Sequence, residues 1–150
     1  GEWIWFYPSG DTMTVEYYED GDLDGPYVEY DEEGLPLVKG EYVAGYEEGV
    51  WYYRNGTSVE TGKYDGGKRT GTWTTTYNED RVSSKINYEE DVRDGKYTAY
   101  WENGNIKTTG KYVNGLQDGA WVQYNEEGIQ ILTTLFKDGK EIKWNNYILK

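Results

Sequence analysis

Six copies of one pattern fill nearly the whole of this 150-residue chain, and their fixed period constrains the fold more than any other feature. The pattern is fullest in GKYTAYWENGNIKTTGKYVNGLQDG, from Gly95 to Gly119. Copies open at Gly1, Gly25, Gly49, Gly71, Gly95 and Gly119, spaced 24, 24, 22, 24 and 24 residues apart. Position three of each copy is Trp3, Tyr27, Trp51, Trp73, Tyr97 and Trp121. A second aromatic column holds Tyr18, Tyr42, Tyr64, Tyr88, Tyr112 and Phe136. A period of this length signals supersecondary units that bury their apolar sides only by stacking on one another. The chain therefore divides into units 1–24, 25–48, 49–70, 71–94, 95–118 and 119–142, with a C-terminal cap at 143–150, in a single repeat domain.

Each unit reads as a hairpin. Its first arm alternates in character, as in 2–7, 26–31 and 120–125, and glycine recurs too often for a capped amphipathic helix. Asn55-Gly56 and Asn103-Gly104 are hairpin-turn dipeptides, and Asn114-Gly115 and Asp138-Gly139 punctuate the other end. Strand parity places the position-three rings on one face and predicts a second ladder of Phe6, Tyr30, Tyr100 and Tyr124 on the other. Gly40, Gly62 and Gly110 lie two residues before a second-column tyrosine, hence on its face, where they leave room for a neighbouring ring. The expected architecture is all-β: an elongated single-layer antiparallel sheet of repeated hairpins, with about twelve strands.

The pattern G-x-W/Y-x-x-Y…G…G-x-Y/F-x-x-G-x-x-x-G resembles the MORN (membrane occupation and recognition nexus) repeat, in the bacterial variant of YwqK-type antitoxin-like proteins. The resemblance covers essentially all of the chain. It implies a hairpin-repeat sheet and a non-enzymatic role in protein interaction, with an immunity or antitoxin-type function as its finer form. Two units depart from the pattern. The third is two residues shorter between Gly49 and Gly56, and the fourth carries Asp80, Ile86 and Asp91 where glycine is expected, so irregularity is expected in mid-sheet.

Composition agrees with stacked rings in place of an aliphatic core. Leu, Ile, Val and Phe number only 26, whereas there are seven Trp and 17 Tyr. The absence of His and Cys removes the commonest general base and transition-metal ligand, thiolate sites and the usual catalytic triads, so no enzyme activity is expected. No apolar run is long enough to span a bilayer as a helix. Charge is placed unevenly: residues 1–50 hold 14 acids against Lys39 alone, while residues 51–150 hold 14 acids and 14 bases. The net −13 therefore belongs to the first two units. Such an end repels phosphates and anionic head groups and suits a basic protein partner, so neither nucleic acid nor direct membrane insertion is expected.

Aromatics off the ladder, Trp5, Tyr7, Tyr17, Tyr46, Tyr52, Tyr53 and Trp101, either extend the stacks or form a recognition surface. At the acidic end the candidate partner-binding set is Trp5, Tyr7 and Tyr17 with Asp20, Asp22, Asp24, Glu32 and Glu33. Asp20, Asp22 and Asp24, with Asp31 twelfth in the run, also match a calcium-loop spacing. The repeat already requires Gly21 and Gly25 and no helix flanks them, so a turn is preferred and no cofactor or metal is expected. A glycan or cell-wall binding module, with exposed rings stacking on sugars, and an accessory subunit of an envelope complex are the alternative functions. The C-terminal cap keeps the W-x-x-Y spacing in Trp144 and Tyr147, and Lys140, Lys143 and Lys150 suit a protected edge.

Overall fold

The computed structural model describes residues 1–78 and 80–146. Among them there is no helix, and one open antiparallel sheet of fourteen strands takes up the chain. The strands are β1 (Glu2–Phe6), β2 (Thr12–Glu19), β3 (Asp22–Leu23), β4 (Gly25–Tyr30), β5 (Pro36–Val43), β6 (Tyr46–Asn55) and β7 (Ser58–Asp65). They continue with β8 (Lys68–Asn78), β9 (Arg81–Glu89), β10 (Val92–Tyr100), β11 (Ile106–Val113), β12 (Leu116–Tyr124), β13 (Gln130–Lys137) and β14 (Lys140–Asn146). Spatial order follows chain order, except that β3 pairs only with β2. Of the expected cap, Tyr147 and Lys150 lie outside the described residues, whereas 140–146 form the edge strand β14.

From the third unit on, first arms are longer than the alternation suggests, because β6, β8, β10 and β12 run back through the glycine that opens the unit. In β6 the segment before Gly49 pairs with β5 as Glu41↔Glu48 and Tyr42↔Glu47. Beyond it the register resumes at Lys39↔Tyr52, so three residues of β6 stand opposite Gly40. Gly49 takes φ +66°, a left-handed value that glycine adopts without strain and that a bulge of this kind requires. In the second unit the same interruption, at Gly25, separates β3 from β4.

The turns differ from expectation because the connections at the two margins differ in length. Left-handed pairs, the mark of a primed turn, sit at the margin beyond the second arm, as in Ala44-Gly45 (φ +48° and +83°), and not at Asn55-Gly56 or Asn103-Gly104. Around Asn103 the loop has three residues, with Trp101 N–H donating to Asn105 C=O (2.8 Å) and Gly104 N–H to Trp101 C=O (2.9 Å). The two-residue deletion in the third unit converts that loop to a two-residue turn. Asn55 now pairs with Ser58, and Gly56-Thr57 form its centre with φ positive at Gly56. The fourth unit keeps its place in the sheet through two register shifts between β8 and β9. Its turn places Glu90 and Asp91 both at left-handed φ without a glycine.

Units are latched at both margins. The second turn residue of each unit donates its N–H one unit back: Gly45 to Leu23, Gly67 to Glu47, Asp91 to Arg69, Gly115 to Arg93 and Gly139 to Gln117, at 2.8–3.0 Å. Carboxylates just before the opening glycine cap the next turn, Asp24 accepting from Ala44 N–H (3.0 Å), Glu48 from Gly66 (2.9 Å) and Asp94 from Asn114 (2.9 Å). At the opposite margin Tyr7 and Tyr77 hydroxyls donate to Tyr30 and Tyr100 C=O (2.7 Å each), and the Trp101 indole donates to Tyr124 C=O (3.1 Å).

A single layer buries its rings by laying indoles flat on glycine. A Cβ at Gly40, Gly62 or Gly110 would fall 2.1–2.3 Å from the ring of Trp51, Trp73 or Trp121, so no other residue fits beneath these indoles. Edge-on second-column rings close the flanks: Tyr42 and Tyr64 contact Trp51, Tyr64 and Tyr88 contact Trp73, and Tyr112 and Phe136 contact Trp121, at centroid separations of 5.0–6.3 Å. Tyr53 stacks between Trp51 and Trp73, and the Arg69 guanidinium lies 3.9 Å from the Trp73 ring centroid. Trp51 and Trp73 are thereby 1% exposed in a sheet with no covering layer. Each of the three indole N–H groups finds a backbone carbonyl, Glu48, Lys63 or Lys111, at 3.2 Å. The expected second ladder does not form: no ring pair links Phe6, Tyr30, Tyr100 and Tyr124, each of which follows a register shift at the end of its strand.

Candidate functional site

The residue beneath each position-three ring sets what that ring can be. The glycines carry tryptophan, whereas in the strand before Tyr97 the residue across from the ring is Ile86, and in the strand before Tyr27 the β2–β4 register extends to Glu16. Trp3 stands in the same column on β1, the first strand of the described sheet, and is 56% exposed.

Trp5, two residues on and on the same face, stacks on Trp3 at 6.3 Å and 24° and is 48% exposed. Its indole donates to Glu16 Oε1 (2.6 Å), which Tyr18 Oη also reaches at 3.3 Å. Tyr18 packs edge-on against Trp3 at 6.3 Å. Trp3, Trp5, Tyr18 and Gly21 thus frame an apolar, open hollow. Among the described residues no acceptor meets the Trp3 indole N–H, in contrast to Trp51, Trp73 and Trp121. Burial, then the charge and hydrogen bond of Glu16, raises the Tyr18 phenol, so it stays a neutral donor across the physiological range.

The sequence-predicted set is distributed around this edge. Trp5 belongs to the ladder face, as an extension of the stack. Tyr17 lies on the opposite face, across from Glu2, whose carboxylate accepts a hydrogen bond from its hydroxyl, the first cause of its raised pKa. Tyr7 is a margin latch to Tyr30. Asp20 and Asp22 are exposed at the turn beyond β2, and Asp24 is committed to the Ala44 amide. Glu32 and Glu33 are exposed at the far end of β4, across a strand of six residues, roughly 20 Å away. The acids therefore flank the sheet at both margins. Among the described residues no three acidic side chains converge as a metal site would need. The sequence-predicted set did not include Trp3, which packs against Trp5 and Tyr18.

Residues 93–114 match the MORN repeat variant. That span covers β10 from Arg93, the loop at 101–105, β11 and Asn114 of the following turn. The match supports a MORN-repeat protein, and the other units repeat its antiparallel strand pair, with a shorter turn in the third and extra register shifts in the fourth. No curated protein matches the chain. MORN repeats are consistent with a repeat scaffold or binding module.

Proposed function

We propose that this MORN-type array is a non-enzymatic scaffold that binds a protein with a basic surface at its first two units. One observation carries the reading: the first two units hold the chain's entire net charge, and the exposed rings of Trp3 and Trp5 lie within them. Apolar rings at the centre with charge around them fit a protein interface, the rings supplying affinity and the acids association rate. The resemblance to YwqK-type proteins extends this to an immunity-type role, in which the scaffold occludes a basic toxin domain.

The test is parallel capture from the native organism with the wild type and two variants, followed by kinetics on the captured protein. Neutralising Asp20, Asp22, Glu32 and Glu33 to their amides is expected to slow association and flatten its salt dependence, leaving Asp24 in place as a turn cap. Trp5→Ala is expected to speed dissociation. A partner that binds all forms alike, or binds only the electroneutral units from Gly49 onward, overturns the proposal. Retention on insoluble cell-wall glycan, lost in Trp5→Ala and insensitive to salt, would establish the sugar-binding alternative instead.

A further inference from the structure

Asn-Gly occurs three times in this chain, at Asn55-Gly56, Asn103-Gly104 and Asn114-Gly115, and the fold holds the three differently. The dipeptide is chemically labile, because glycine has no Cβ to hinder its own amide nitrogen from attacking the asparagine carboxamide. Attack needs that nitrogen free of a hydrogen bond and the carboxamide free to swing onto it.

At Asn103 neither is free. Gly104 N–H donates to Trp101 C=O (2.9 Å), the Asn103 side-chain amide donates to Glu126 C=O (2.8 Å), and its oxygen accepts from Asn105 N–H (2.9 Å). At Asn114 the nitrogen is held one unit back, with Gly115 N–H donating to Arg93 C=O (2.8 Å), while Asp94 accepts from Asn114 N–H (2.9 Å). Asn55 differs because of the two-residue deletion in the third unit. In the longer loops Gly10, Gly34, Gly104 and Gly128 each donate to the carbonyl three residues before, at 2.9–3.0 Å. Gly56 is instead the first of two turn residues between the paired Asn55 and Ser58, so its N–H points away from that pair. Asn55 is exposed, and among the described residues neither its carboxamide nor Gly56 N–H has a partner. Arg54 donates to Gly56 C=O (3.3 Å), which sets a cation beside the amide anion that attack requires.

We propose that Asn55 is a site of spontaneous deamidation in the folded protein. Solvent base removes the Gly56 N–H proton, the nitrogen bonds to Asn55 Cγ, and the Cγ–Nδ2 bond breaks. Nδ2 takes up a proton and leaves as ammonia, and a cyclic succinimide remains. Water then adds to either succinimide carbonyl and opens the ring, to aspartate or to isoaspartate, whose backbone runs through the former side-chain carbon. Either product adds one negative charge to the net −13. The new carboxylate stands next to Arg54, which pairs with Asp31 and donates to Pro36 C=O (2.9 Å) and so ties the third unit to the second. Isoaspartate also lengthens a two-residue turn by one backbone atom, which works against the pairing of residue 55 with Ser58.

The test is peptide mapping of the full-length protein after incubation at mildly alkaline pH, folded and, in parallel, in urea. Trypsin leaves the three dipeptides on separate peptides, 55–63, 97–107 and 112–137, and mass spectrometry after chromatographic separation of aspartyl from isoaspartyl forms follows each. In the folded protein Asn55 is expected to convert at least about tenfold faster than Asn103 or Asn114, the worth of about one net hydrogen bond held against attack. In urea the three rates should converge. Replacing 55–57 by WENGN, the sequence of 101–105, restores the longer loop with its tied glycine and should slow the dipeptide to the rate of Asn103. Equal rates at the three sites in the folded protein, or conversion of Asn55 only in urea, would overturn the proposal. So would a grafted loop that deamidates as fast as Asn55 does, because the released glycine amide would then not be the cause.

Discussion

Replacing Gly62 by isoleucine tests the central claim about how this single layer buries tryptophan. Even the first added carbon would sit 2.1 Å from the Trp73 ring, so the indole must leave the strand surface. Trp73 is 1% exposed, and a tryptophan buries about 150–250 Å², worth about 4–6 kcal/mol at ~25 cal/mol per Å² if the ring were wholly expelled. Partial repacking against Tyr53 and Tyr64 lowers the expected loss to about 3–5 kcal/mol, the range for deleting a large core aromatic. The array also contains the compensated form, Ile86 across from Tyr97. The double variant Gly62→Ile with Trp73→Tyr should therefore be more stable than the sum of the single effects, by a coupling of about 2 kcal/mol. Urea unfolding followed by far-ultraviolet circular dichroism measures this cycle without depending on the replaced fluorophore. Additive effects, with coupling below about 0.5 kcal/mol, would refute the steric pairing of ring and glycine.

Asp31 accepts from Glu33 and Leu35 amides and pairs with Arg54, and these bonds, with Leu35 first, lower its pKa. Its contribution to stability is present above the unfolded value of about 3.9 and is lost as pH falls through the lower folded value. The stability gap between wild type and Asp31→Asn should therefore be larger at pH 7 than at pH 3, and a gap independent of pH would refute this. Excising 71–94 brings Tyr97 over Gly62, whereas excising 95–118 brings Trp121 over Ile86. The first deletion should melt at the higher temperature, and the reverse order would contradict the column rule. Glu90 holds a left-handed φ of +48°, and its pair with Lys68 is largely exposed. Glu90→Asn, a residue that tolerates this conformation, should stabilise by about 0.5–1 kcal/mol in the same urea assay; any destabilisation counts against strain at this turn.

Much of the fold was legible because its determinants are periodic. The two aromatic columns meet ring to ring as the shared spacing required, and Gly40, Gly62 and Gly110 make room for a neighbouring strand's indole as parity implied. The candidate site was less legible. Trp5 and Tyr17 are twelve residues apart in sequence, yet their opposite faces follow from the pairing of β1 with β2, a register that only the folded hairpin sets. Tyr7 and Asp24 look free in sequence because their partners, Tyr30 and Ala44, are supplied by the next unit.

By itself the sequence determined the repeat, the all-β class, the ring columns and the concentration of negative charge in the first two units, since each depends only on residue type and spacing. Tertiary structure decided where strands bulge, which margin holds the primed turns, and that Phe6, Tyr30, Tyr100 and Tyr124 do not meet. It also decided that Trp3, identical in type and unit position to Trp51 and Trp73, is open while they are buried. Exposure belongs to the neighbouring strand and not to the residue, and a neighbour exists only once the sheet is assembled.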